Sequence, residues 1–261
     1  MNLNLNDKYA IVCGSTAGIG KATAILLAAE GVHVTLVARN EEKLKQTLSE
    51  LTNNNQHHSY ITVDFQNVEL LKKKVTEHLV KIKHCHILVN NSGGPPSGNI
   101  LNASLEEYDL AFTRHVKANQ VLAQAVIPYM KKAAYGRIIN IISTTVKEPI
   151  EGLGVSNTIR GAVGNWSKTL AGEVAPFNIT VNNVLPGFTM TDRLMEIIKV
   201  KAKEQDISVD AMAEIMKKTA PAGRFAAPQE VGNAVVFLAS EAAGYITGIN
   251  VPVDGGRTKS L

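Results

Sequence analysis

The chain's 261 residues are 45% hydrophobic and 19% charged, an ordinary balance for a soluble globular enzyme. One domain of this size buries about 70–75% of its unfolded surface, a core that needs no staples. A net charge of +4 is too small, and aromatic platforms too scarce, for a nucleic-acid binder; no apolar run approaches the roughly 18 residues of a membrane span.

Two cysteines, Cys13 and Cys85, do not form a disulfide framework and point to a reducing compartment. Met1 to Tyr9 is polar and short, unlike a signal peptide or an anchor. A cytoplasmic location is the expectation.

In chain order, Tyr9–Cys13 reads as a buried strand, followed by a glycine turn and a helix over Ile19–Glu30. Val32–Val37 is the next strand and Glu41–Leu51 the next helix, with Asn53-Asn54-Asn55 as a polar loop. Tyr60–Val63 follows as a strand. Lys72-Lys73-Lys74 then runs into Val75, Leu79 and Ile82, an amphipathic helix with a solvated face. His86–Val89, Arg137–Ile142, Ile179–Val184 and Ile249–Val253 complete the strands. Strands separated by helical crossovers predict a parallel sheet covered on both faces, and no linker or repeat breaks the alternation. The expectation is an α/β fold: a single Rossmann-type domain over 1–261, with a doubly wound parallel sheet of about seven strands flanked by helices. Residues 189–225 depart from the rhythm, being helical and polar with Met190, Met195, Met212 and Met216. Following a sheet strand, they suit a helical lid over the ligand. Ordinary amphipathic packing is the competing account of each methionine.

Gly14-Ser15-Thr16-Ala17-Gly18-Ile19-Gly20 connects the first strand to the first helix. Glycines at this turn let the backbone approach a pyrophosphate, and the helix N-terminus offers free N–H groups to it. The second strand ends at Arg39, where a carboxylate would bind the ribose 2′-OH of NAD(H). An arginine suits a 2′-phosphate instead, so NADP(H) is expected over NAD(H). Asp64-Phe65 follows the third strand towards the adenine, and Asn91-Ser92-Gly93 follows the fourth beside the ribose. His84-Cys85-His86 has no second ligand cluster, so no metal is expected.

The ordered set Gly14-x-x-x-Gly18-x-Gly20, Asn90-Asn91-Ser92-Gly93, Gly136 to Ser143, Pro186 to Thr191, and Ile246-Thr247-Gly248 through Gly256 resembles the short-chain dehydrogenase/reductase family over essentially the whole chain. It looks most like the β-ketoacyl-carrier-protein-reductase branch. The resemblance implies that Asp64 contacts adenine, that Asn91 lies near the ribose, and that Pro186, Gly187, Thr189 and Thr191 line the nicotinamide. It also implies a homo-oligomer, a tetramer of dimer pairs. The segments Leu105–Met130 and Ser156–Val174 would form its interface, with Trp166 as a candidate anchor.

The family's catalytic group is a Ser, a Tyr, a Lys four residues later and a supporting Asn. By spacing these fall at Ser143, Ser156, Arg160 and His115, and no tyrosine lies between Tyr135 and Tyr245. Ser156 and Arg160 are i and i+4, so they share a helix face. A serine is a weaker and shorter acid than a phenol, and Arg160, at the position that the resemblance gives to the nicotinamide ribose, can bind that ribose but cannot shuttle a proton. His115 is the one replacement that titrates near neutrality, which makes it the candidate acid; a core or capping histidine is the competing account. The leading expectation is an NADP(H)-dependent oxidoreductase acting on a carbonyl or alcohol, with altered proton handling. The alternative is a dinucleotide-binding protein without hydride transfer, a sensor or assembly subunit. A lyase or isomerase reusing the pocket is the weakest.

Overall fold

The computed structural model describes residues 2–260. Seven parallel strands form one sheet: β1 (Tyr9–Cys13), β2 (His33–Ala38), β3 (Ser59–Thr62), β4 (Ile87–Asn90), β5 (Gly136–Ile141), β6 (Ile179–Pro186) and β7 (Asn250–Val253). Their order is β3-β2-β1-β4-β5-β6-β7, so the chain reverses direction across the sheet between β1 and β4. Ligands bind in the crevice at such a reversal, beyond the carboxyl ends of the strands.

Helices cover both faces because the strands are apolar on both; β2, β4 and β5 are buried at every position. One core gathers Val12, Leu27, Leu36, Ile139 and Val184 with Val231 and Val235, beneath α1 (Gly18–Ala29), α2 (Glu41–Ser49) and α9 (Pro228–Ala239). The other gathers Ile11, Val75, Leu79, Leu88, Val126 and Ile138, beneath α3 (Val68–Ile82), α5 (Ala118–Ala133) and α6 (Gly154–Val174). The amphipathic reading of α3 holds: Lys72 and Lys73 are exposed, whereas Val75 and Leu79 are buried. Trp166 joins α6 to α5, its Nε1 donating to Gln120 Oε1 at 2.7 Å.

Two features lie outside the sequence expectations. The stretch α4 (Leu105–Phe112) to α5 is interrupted by a π-helical turn, Thr113–Lys117; single π-turns are frequent at functional sites. At the amino ends of the strands, aromatic rings from distant segments stack: Tyr9 on His33 at 4.3 Å, Tyr9 on His84 at 5.0 Å and His33 on His57 at 5.5 Å. His84 and His86 therefore belong to a ring stack, and Cys85 is buried.

Helices α7 (Asp192–Glu204) and α8 (Val209–Lys217) share a small core of their own, with Leu194, Ile198, Met212, Met216 and Phe225 buried. Met212 and Met216 are thus packing residues, while Met190 is 44% exposed. Among the described residues, no helix is long and apolar enough to cross a membrane.

Candidate active site

The turn after β1 is closed by glycines. Gly14 sits at φ +58°, and its N–H donates to Val37 O at 2.8 Å, tying the turn to β2. A Cβ there would lie 2.7 Å from the Asn91 carbonyl oxygen, and one on Gly20 would lie 2.6 Å from Asn91 Nδ2. Asn91 Nδ2 in turn donates to Gly14 O at 3.3 Å, so the loop after β4 seats on the glycine turn. Gly18 also has positive φ, +50°, and a Cβ there would come within 2.9 Å of Thr191 Cγ2.

Helix α1 begins at Gly18 after Ala17, which has no capping side chain, and its first turn holds no acid. Its leading N–H groups and the positive dipole end are therefore available to an anion. Ser15 is fully buried beside them with its Oγ unpartnered, Thr16 is half-buried, and Ile19 packs on the core. A cradle with no room for a Cβ at Gly14, Gly18 or Gly20, opening onto a bare helix N-terminus and keeping an orphan hydroxyl, fits the pyrophosphate of a dinucleotide.

On the adenosine side, Arg39 is exposed at the end of β2, ahead of Asn40, whose side chain caps α2 by accepting from Lys43 N at 2.9 Å. Asp64 Oδ1 accepts from Gln66 N at 2.9 Å, an Asx turn leaving β3, and Phe65 leans on the core beneath α3. Both residues thus have local structural contacts of their own.

On the other side, β5 delivers Ser143, whose Oγ accepts from Thr145 N at 3.2 Å and starts a short 3-10 turn. Helix α6 carries Ser156, half-buried, and Arg160, 8% exposed. Arg160 Nη1 donates to Ile141 O at 3.0 Å, which anchors the guanidinium at the carboxyl end of β5, two residues from Ser143. Burial lowers its pKa to about 10, leaving it cationic at neutral pH.

His115 lies in the π-helical turn, 2% exposed, with Nδ1 2.7 Å from Ser92 Oγ and Nε2 buried without a partner. Burial, then the charges of Arg160 and Arg114, push its pKa down to about 2. This corrects the expectation of an acid titrating near neutrality. The imidazole is neutral throughout the working range, because a second cation beside buried Arg160 is strongly disfavoured. Ser92 bonds this imidazole and the charge of Arg160 acts on it, while Gly93 is exposed at the rim.

Pro186 ends β6 and turns the chain at Gly187, whose N–H donates to Val253 O at 2.9 Å; a Cβ there would lie 2.6 Å from Asp254 Cα. Thr189 Oγ1 donates to Gly187 O at 3.2 Å, and Thr191 Oγ1 accepts from Leu194 N at 3.3 Å as the N-cap of α7. Sequence reading missed two supports. Asn90, Asn140, Asn183 and Asn250 occupy one row across β4, β5, β6 and β7, joined through bonds of 2.8, 3.0 and 2.8 Å, with Ser167 on α6 bonded to the middle pair. Arg193 of α7 donates to Pro95 O at 3.1 Å, linking that helix to the loop after β4. Asparagines inside otherwise apolar strands were the available signal for the first.

The sequence profile described as Enoyl-(Acyl carrier protein) reductase matches residues 14–258. The chain is 34% identical over 261 residues to the 3-oxoacyl-[acyl-carrier-protein] reductase FabG of Aquifex aeolicus, covering 98% of this chain and 99% of that one. It is 33% identical to pig (Sus scrofa) dehydrogenase/reductase SDR family member 4, covering 98% of this chain and 89% of that protein. The structure of L-sorbose reductase from Gluconobacter frateurii, complexed with NADPH and L-sorbose, superposes with a TM-score of 0.94 at 32% identity, with both chains fully covered. A glycine-cradled β1–α1 turn in a seven-stranded parallel sheet, matched end to end by such relatives, places this chain in the short-chain dehydrogenase/reductase family.

Proposed function

We propose that the chain is an NADP(H)-dependent oxidoreductase that interconverts a carbonyl and an alcohol without the family's Tyr–Lys pair. The observation that carries this reading is the meeting of two halves at the carboxyl end of the central strands. The Gly14–Gly20 cradle follows β1, and Ser143 with Arg160 closes on β5, the two strands being separated only by β4. Bound NADPH supplies the hydride. Gly14, Ser15, Thr16, Gly18, Ile19 and Gly20 hold its pyrophosphate, and Arg39 at the end of β2 pairs with the 2′-phosphate. The NADPH-bound relative supports the choice of the phosphorylated cofactor.

Asp64 and Phe65 border the adenine, and Asn91, Ser92 and Gly93 pass the ribose. Pro186, Gly187, Thr189 and Thr191 border the nicotinamide. The Ser143 and Ser156 hydroxyls hydrogen-bond the carbonyl oxygen, and the fixed charge of Arg160 favours negative charge developing there. With His115 neutral, the proton reaches that oxygen from water through a serine hydroxyl. A groove of about 540 Å³ lined by Ile100, Leu101, Ile150, Gly152, Asn157 and Thr158 adjoins the first turn of α6; Ser143, Ser156 and Arg160 do not line it, so it is the place for the part of the substrate remote from the carbonyl. The segment 189–225 is a lid within a single domain, held towards the site by Arg193. The protein works as a cytoplasmic homotetramer.

NADPH oxidation across a broad carbonyl panel, with cofactor binding measured on the same preparation, tests the reading. Binding without oxidation would favour the second reading, a non-catalytic dinucleotide binder. The depressed pKa of His115 is the observation on that side, since it removes the remaining side-chain acid.

A further inference from the structure

Arg160 is a buried cation without a counter-ion. Every ion pair among the described residues lies elsewhere, and the sole hydrogen bond of the guanidinium goes to a neutral carbonyl, Ile141 O. An isolated buried charge is strongly unfavourable unless it is paired. A guanidinium offers five N–H donors in a planar fork that matches a carboxylate, and one bond leaves most of them free. The cofactor does not balance this charge. Its phosphates belong at the turn after β1, two strands from β5, or about 10 Å at the usual strand spacing. Ribose hydroxyls can accept from the fork, but they are neutral.

The loop after β4 passes beside the second guanidinium nitrogen, Nη2, at Gly94. A Cβ built on Gly94 would lie 3.7 Å from Arg160 Nη2, and one on Gly93 would meet nothing within 4 Å. Both glycines are exposed, so the loop beside the fork sets no side chain between it and solvent. The reacting hydroxyls are close in the chain. Ser143 lies two residues beyond the carbonyl that anchors Arg160, and Ser156 lies one helical turn before it on the same face of α6.

We infer that the substrate is a 2-oxo carboxylate, its carboxylate paired with Arg160 and its adjacent carbonyl turned to Ser143 and Ser156. The inference rests on the oxidoreductase reading and names its substrate class. A carboxylate one bond from the carbonyl carbon keeps both groups within reach of one fork and the neighbouring hydroxyls. In the reaction, the carbonyl carbon accepts a hydride from NADPH and the C=O π pair becomes an oxygen lone pair. That oxygen then takes one proton from water. The products are a 2-hydroxy carboxylate and NADP⁺.

The test uses the full-length protein saturated with NADPH. Calorimetry measures binding of oxamate, an unreactive 2-oxo acid mimic, and turnover is followed with 2-oxo acids of three to nine carbons and with their methyl esters. The expected result is that some acids are reduced at a kcat/KM at least 100-fold above their esters. Arg160→Gln should lower oxamate affinity about 100-fold and erase the acid–ester preference, and Arg160→Lys should lose about 10-fold. Equal rates on acids and esters, or oxamate binding unchanged in Arg160→Gln, overturns the inference. If neutral ketones are reduced while oxamate and every acid are ignored, the anion site fails and the oxidoreductase reading stands. If oxamate binds through Arg160 but nothing is reduced, the oxidoreductase reading fails instead. Should Arg160→Gln not fold, the acid–ester comparison in the unaltered protein decides alone.

Discussion

His115→Asn should change how stability depends on pH, by an amount set by the burial of the imidazole. In the folded chain the pKa of His115 is about 2, and in the unfolded chain it returns to about 6.5. A depressed folded pKa means that the unfolded state takes up a proton first as the pH falls. The contribution of His115 is therefore full above pH 6.5 and is lost progressively between 6.5 and 2. At pH 5 the unfolded chain has gained about 1.5 units of protonation free energy that the folded chain has not, about 2 kcal/mol at 1.36 kcal/mol per unit. Urea denaturation of both proteins at pH 7.5 and pH 5.0, at one protein concentration, reads this as a double difference. His33, His78 and His86 are also lowered by burial, but they are common to both proteins and cancel. The unaltered protein should lose about 2 kcal/mol more than His115→Asn across the interval. Equal losses would refute the burial of a neutral imidazole beside Arg160, and would return His115 to the list of candidate acids.

Three further outcomes follow from the same geometry. Calorimetry should show NADPH binding more tightly than NADH, and Arg39→Asp should remove about 10–100-fold of that preference, the worth of hydrogen bonds between charged groups at about 1.5–3 kcal/mol; equal affinities in the unaltered protein contradict the role given to Arg39. Ser156→Tyr combined with Arg160→Lys should raise reduction of neutral ketones, by up to the 10²–10⁴ typical of a general acid, and unchanged rates would show that more than the donor is missing. Light scattering at micromolar concentration should report a species about four times the 28.1 kDa chain, whereas a 28.1 kDa particle alone rules out the assembly.

Much of the architecture was legible because it is written locally. Tyr9–Cys13 appears at the expected residues, and the other strand limits lie within two positions of the expected ones, because buried strands between glycine, asparagine and helix-forming stretches are set by neighbours in sequence. The glycine turn was legible for the same reason: only residues without a Cβ can occupy Gly14 and Gly20 against Asn91. Spacing alone also put Ser156 and Arg160 on one face of α6.

The electrostatic character of the site was not local and had to wait for the tertiary structure. His115 gives up its proton to burial and to the charge of Arg160, 45 positions further on, and among the described residues no ion pair includes Arg160. Thr191 proved to be a helix cap and Asp64 the closer of a turn, roles decided by which backbone N–H each oxygen meets. Likewise Asn90, Asn140, Asn183 and Asn250 become one polar row only when four strands are laid side by side in register. Sequence by itself determined where the chain is strand, helix and turn, since those preferences reside in adjacent residues. Which groups are charged, paired or free was decided by the tertiary structure, since desolvation and Coulomb interaction depend on what distant segments bring within a few ångströms.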